Sequence, residues 1–146
     1  MKEVFKFSGA EANLMVHATE DHGKILNSLQ GGLQISSDRF TSTPSEGHYK
    51  NKILLLTATL SSTEANGLAS HISSSLNSPD RQVLLRGIEQ FSDDKGNLYL
   101  RLDKQRLCQG KISISPSDSI RIKFKPVKRY RPTSNLENYR GLFTSD

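Results

Sequence analysis

Apolar and polar positions along the chain alternate with two different periods, and the switches between them outline the elements. Leu14, Val16 and Ala18 repeat every second residue, and Gly9 ahead of them permits a turn or bulge, so residues 4–18 read as a strand. Thr19 is placed to cap a following helix, Glu20 and Asp21 suit its positive end, and Ile25, Leu26 and Leu29 form an apolar stripe that stops at Gly31 and Gly32. Leu33 and Ile35 begin a second strand that fades into TSTPSEGHYKN, a polar stretch broken by Pro44 and Gly47 that reads as a hairpin connection or long loop. Residues 53–60 are a β-rich run. Ser62 or Thr63 then caps a helix whose Ala65, Leu68, Ala69, Ile72 and Leu76 share one face. A third helix opens at Ser78-Pro79, with serine as cap and proline in the first helical position, and carries Val83, Leu84 and Ile88. After the turn DDKGN, Leu98, Leu100 and Leu102 alternate with Tyr99, Arg101 and Asp103. Ile112 and Ile114 repeat the pattern briefly, and beyond the turn SPSDS, Ile120, Ile122 and Phe124 alternate with Arg121, Lys123 and Lys125.

The order strand, helix, two strands, two helices, three strands predicts an α+β fold in two layers, a mainly antiparallel sheet with helices packed on one face. The 34% hydrophobic content fits a sheet that is covered on one side and wet on the other. With 146 residues the chain has the size of one domain, assigned to residues 1–127, followed by a basic and then polar C-terminal tail at 128–146. Leu136, Tyr139, Leu142 and Phe143 are the anchors available to that tail. No run approaches the roughly 18 apolar residues of a membrane span. The opening MKEVFKFSG lacks the shape of a secretory signal, so a cytoplasmic location is expected. Cys108 is the one cysteine, which excludes an internal disulfide and a cysteine-based zinc cluster and reads as a small filler residue.

Charge changes this picture through its distribution. Residues 1–100 hold nine Lys and Arg against eleven Asp and Glu, whereas residues 101–131 hold ten against two. Half of the 20 positive charges thus lie in about a fifth of the chain, the footprint of a polyanion binder. Strand alternation that sends Ile120, Ile122 and Phe124 into the core sends Arg121, Lys123 and Lys125 out together. Tyr99 and Arg101 face outward by the same logic, the ring offering a surface for an unpaired base. Lys128, Arg129, Tyr130 and Arg131 extend the basic run, and Lys104 adds a further cation. Six cations between positions 121 and 131, all on single-stranded phosphates, would make log K fall with log salt at a slope of roughly −4. No base-reading code is visible, so recognition of shape or backbone is expected. The alternative physical role for such a row is to solubilise an outer strand face and protect its edge.

Three segments, VHATED at 16–21, SEGHYKNKI at 45–53 and GNLYLRLDKQ at 96–105, resemble the signature of a family of archaeal predicted exosome subunits. That family is similar in fold to large-subunit ribosomal protein five. The resemblance covers about residues 5–125 and implies RNA as partner, with the exosome or another RNA-processing assembly as its setting. It draws attention to His17, Glu20, His48, Arg101, Asp103, Lys104 and Gln105, without a catalytic role for any of them. The segment from Val127 onward has no counterpart in that pattern.

An enzyme is the weaker expectation. HATEDH lacks the i, i+4 histidine pair of a helical zinc motif, and a metal site would need His17, His22 and His48 to converge. Gly31-Gly32 follows a helix without the lysine and serine of a phosphate loop, and no GxSxG occurs. No cofactor, metal or catalytic residue is assigned. The rival to RNA binding is a protein-interaction module, in which the basic patch meets an acidic partner and the tail, through Leu142 and Phe143, docks on another subunit or a dimer mate.

Overall fold

The computed structural model describes residues 7–46, 52–93, 95–115, 119–126 and 139–143. Strand β1 (Phe7–His17) is the middle of a five-stranded sheet because its alternate residues Ala10, Ala12, Leu14 and Val16 all face the core. The alternation slips at Gly9, where the register against the next strand shifts and an added Cβ would stand 3.0 Å from the carbonyl oxygen of Leu60. β3 (Lys52–Leu60) pairs with one edge of β1 and β5 (Ser119–Pro126) with the other. β2 (Thr41–Glu46) and β4 (Leu98–Asp103) form the outer strands, giving the order β2-β3-β1-β5-β4 with every pair antiparallel.

Among the described residues the helices lie on one face. α1 (His22–Leu33) buries Ile25, Leu29 and Leu33, and α2 (Ser62–Ser75) lays Ala65, Leu68, Ala69 and Ile72 over β1. α3 (Ser78–Arg86) contributes Leu84, and the short α4 (Lys104–Cys108) packs Leu107 against α1. Gly32 makes room for that contact, since a Cβ there would stand 2.5 Å from Cδ1 of Leu107 and the leucine would have to shift. The expected α+β class and one-sided helical layer are therefore observed.

Several local expectations are corrected. Each of the three helices read from the sequence begins at a cap other than the one expected: Asp21 accepts from the N–H of Lys24, Ser61 forms a capping box with Glu64, and Asn77 accepts from the N–H of Asp80. Leu33 and Ile35 start no strand. Leu33 closes α1 in phase with Ile25 and Leu29, and Gln34, at φ 59°, turns the chain so that Ile35 also reaches the core. Of the polar segment read as a hairpin connection or long loop, residues 41–46 are instead β2, antiparallel to β3, with Pro44 tolerated at the sheet edge, and residues 47–51 lie outside the described residues. Ile114 makes a single bridge to Leu102 rather than a further strand.

The last described segment, residues 139–143, is helical and belongs to the core. Tyr139 and Phe143 are fully buried, Tyr139 stacks 6.0 Å from Phe7, and its hydroxyl donates to the carbonyl of Gly96. Ser73 donates to the carbonyl of Leu142 at 2.6 Å and Arg81 to that of Phe143 at 2.9 Å. Of the two side chains that the interaction-module reading assigned to a partner, Phe143 is thus buried internally and Leu142 is partly buried against the core.

Candidate nucleic-acid interface

Opposite the helices the sheet presents an open face, and antiparallel register decides which side chains meet there. Residues directly opposite one another project to the same side. Arg101 of β4 is opposite Arg121 of β5, Arg121 is opposite Asn13 of β1, and Asn13 is opposite Thr57 of β3. The next rung runs Tyr99, Lys123, Glu11 and Thr59. Cations therefore gather on the β4–β5 half. On the β1–β3 half Met15 faces Leu55, and these two are among the few large apolar side chains left exposed, at 49% and 37%.

The face is graded. Arg101 and Arg121 are exposed and have no ion pair with any described residue, and two like charges directly opposite each other are unfavourable in the free protein. Lys123 holds its ammonium 5.8 Å from the centroid of the Tyr99 ring, within cation–π range. Tyr99 is fixed from below: its hydroxyl donates to Asp93 at 3.0 Å, and that carboxylate also accepts from the N–H groups of Lys95 and Asn97 and from the Asn97 amide. Burial pushes the Asp93 carboxyl up, but these four donors outweigh it and leave it below its ordinary value. Burial, and then the bond to Asp93, push the Tyr99 phenol above its ordinary range. Lys125 is engaged by Glu11 at 2.9 Å, and the hydrogen bond from Lys125 is the main reason the Glu11 carboxyl sits low.

Lys104 requires a correction. It does not add to the surface charge: only 1% of its side chain is exposed, and its ammonium donates to the carbonyl of Met15 and to Oε1 of Glu20, both at 2.8 Å. Glu20 also accepts from the N–H of His17 at 2.9 Å and from the amide of Gln105 at 3.2 Å. Asp103 caps α4 through the N–H of Arg106. The motif residues Glu20, Lys104 and Gln105, with the backbone N–H of His17, therefore meet in one polar clamp that ties the β1–α1 turn to the β4–α4 corner, where Asp103 serves as the cap of α4. The sequence does carry a mark of its burial: Lys104 stands two residues past Leu102, in the inward phase of Leu98, Leu100 and Leu102, whereas Arg101 and Asp103 belong to the outward phase. His48, Lys128, Arg129, Tyr130 and Arg131 lie outside the described residues. Arg106 and Lys111, part of the same basic run, stand on the helical side rather than on the sheet.

The chain is 29% identical over 124 residues to RNA-binding protein PAB1135 of Pyrococcus abyssi, covering 78% of this chain and 80% of that protein. It is 22% identical over 138 residues to the uncharacterized protein MJ0213 of Methanocaldococcus jannaschii, covering 90% and 92%. Among solved structures, Mth689 of Methanothermobacter thermautotrophicus, a DUF54 protein, superposes with a TM-score of 0.79 at 23% identity, over 95% of this chain and 99% of that one. AF2318 of Archaeglobus fulgidus, also DUF54, gives 0.76 at 22%, over 95% and 99%. At these identities the two structures establish the shared fold. The family model described as RNA binding matches residues 10–126, from the central strand through the last, and the chain accordingly belongs to that RNA-binding family.

Proposed function

We propose that this protein binds RNA through the open face of its sheet, with Arg101, Arg121 and Lys123 taking the phosphate backbone and Lys125 at their margin. The observation that carries the reading is the Arg101–Arg121 pair, two unpaired guanidiniums held side by side with Lys123 one rung away. A phosphate between them relieves the repulsion and forms charge-assisted bonds that guanidinium geometry suits. Tyr99, with its hydroxyl fixed and Lys123 over its ring, serves first to position that lysine. The exposed Met15–Leu55 pair beside the cations offers an apolar surface for an unstacked base.

The test is a triple variant, Arg101→Glu, Arg121→Glu and Lys123→Glu, titrated against a labelled single-stranded oligoribonucleotide and a duplex hairpin, with circular dichroism to verify the fold. Loss of affinity for either RNA is expected; wild-type affinity for both would exclude this face. The setting we infer, an accessory role in an RNA-processing assembly such as the exosome, is supported by the resemblance of the three motifs, as is kinship with large-subunit ribosomal protein five. Co-purification with exosome subunits from native cells tests the former. A protein-interaction module is the second reading, favoured by the exposure of Met15 and Leu55. It predicts that Met15→Ser with Leu55→Ser abolishes a stable complex and leaves RNA affinity unchanged.

A further inference from the structure

The helical side carries a second concentration of positive charge, in a groove of about 1000 Å³ between α1, α4 and the chain that follows α4. Lys24 stands on one wall, Arg106 and Lys111 on the other, and His71 closes one end with its ring donating to the carbonyl of Gly32 at 2.7 Å. All three cations are exposed and form no ion pair with a described residue. Asp21 is the lone carboxylate among the described lining residues, and it is engaged as the α1 cap by the N–H of Lys24 at 3.1 Å.

The floor supplies an independent observation. Gly23, Asn27 and Gly31 recur every fourth residue along α1 and line the groove. Gly32 is explained by Leu107, but nothing lies within 4 Å of a Cβ built on Gly31, and its backbone is not left-handed. A glycine inside a helix weakens it relative to alanine, so the free protein gains nothing from Gly31. What the missing side chain provides is open space on the groove floor between the cations of its two walls.

We propose that this groove is a second RNA-backbone site, so that the protein engages RNA from both layers. The proposal rests on the RNA-binding reading of the chain, and it commits to phosphate because cations from three separate positions converge on an open, glycine-floored channel. The corner at which β4 runs into α4, with Arg101 and Arg106 five residues apart, joins the two cationic surfaces.

Two variants of the full chain test it by fluorescence anisotropy with a labelled single-stranded oligouridylate across a salt series. Lys24→Glu with Arg106→Glu and Lys111→Glu should weaken binding and make the log K against log salt slope shallower by about 2, three single-strand phosphate contacts. Charge reversal acts at long range, so the deciding variant is the neutral Gly31→Gln, which should raise Tm while weakening binding. A raised Tm with wild-type affinity overturns the proposal. Lost affinity in the groove variants combined with wild-type affinity in the Arg101, Arg121 and Lys123 triple variant would sustain the groove and remove the sheet face; the opposite combination would do the reverse. Polyglutamate binding the wild type as tightly as RNA, and lost in Gly31→Gln, would assign the groove to acidic peptides and overturn the proposal.

Discussion

Position 104 carries an ammonium that the chain encloses beneath a sheet edge, and its chemistry there differs from that of the lysines around it. Removing one partner of a buried ion pair leaves the other uncompensated, which costs about 3–5 kcal/mol. Lys104→Met is therefore expected to lower unfolding stability by that order in urea titrations, with RNA affinity of the folded fraction unchanged. Glu11 behaves oppositely. Its pair with Lys125 is substantially exposed, at 38% and 42%, and such pairs contribute about 0–1 kcal/mol. Glu11→Gln removes a negative charge from the binding face and releases Lys125, so RNA affinity should rise about two- to fivefold while stability changes by less than about 1 kcal/mol. Asp93 gives a pH signature. Its folded-state carboxyl titrates below the unfolded one, so the stability it contributes is present above the unfolded value and is lost as pH falls through the folded one. Urea midpoints of Asp93→Asn should accordingly fall less steeply than wild type on the acid side of pH 4.

Among the elements, the helical turn at 139–143 is the one whose role the amphipathic patterns misrepresent. Its two aromatic residues stand four apart in a polar context that reads as a tail, yet both are fully buried against Phe7, α2 and α3. Phe143→Ala should cost about 3–5 kcal/mol, seen as a lowered Tm of the isolated protein. A docking residue for another subunit would leave that Tm unchanged. β2 illustrates the converse. Thr41, Thr43 and Ser45 have no apolar period because both faces of an edge strand at this end of the sheet are wet, so pairing with β3 is what makes the strand. The misplaced caps have a simpler origin. Several side chains able to cap stand before each predicted helix, and at α1 the backbone turn from His17 to Glu20 leaves Asp21 rather than Thr19 in position to accept.

For the molecule as a whole, electrostatics is split between two layers. Of the described cations between positions 101 and 125, Arg101, Arg121, Lys123 and Lys125 stand on the sheet, Arg106 and Lys111 line the helical groove, and Lys104 is inside. Four phosphate contacts on single-stranded RNA give a log–log salt slope of about −3, and adding the three groove cations takes it to about −5. Anisotropy titrations over a tenfold salt range separate these values. A slope near −3 for the wild type, unchanged by charge reversal in the groove, would confine binding to the sheet.

Sequence by itself determined the layered α+β class, the core phase of β1, β4 and β5, and the outward row Arg121, Lys123 and Lys125, because period-two alternation follows from backbone geometry within one strand. The motif resemblance picked out His17, Glu20, His48, Arg101, Asp103, Lys104 and Gln105 as a set. Only the tertiary structure decided that Glu20, Lys104 and Gln105 among them form a clamp, that Arg101 stands opposite Arg121, that Lys125 is shared with Glu11, and that Arg106 and Lys111 turn to the other layer. Those outcomes depend on which strands pair and in what register, a property of contacts between segments as much as 119 residues apart, and no local period encodes it.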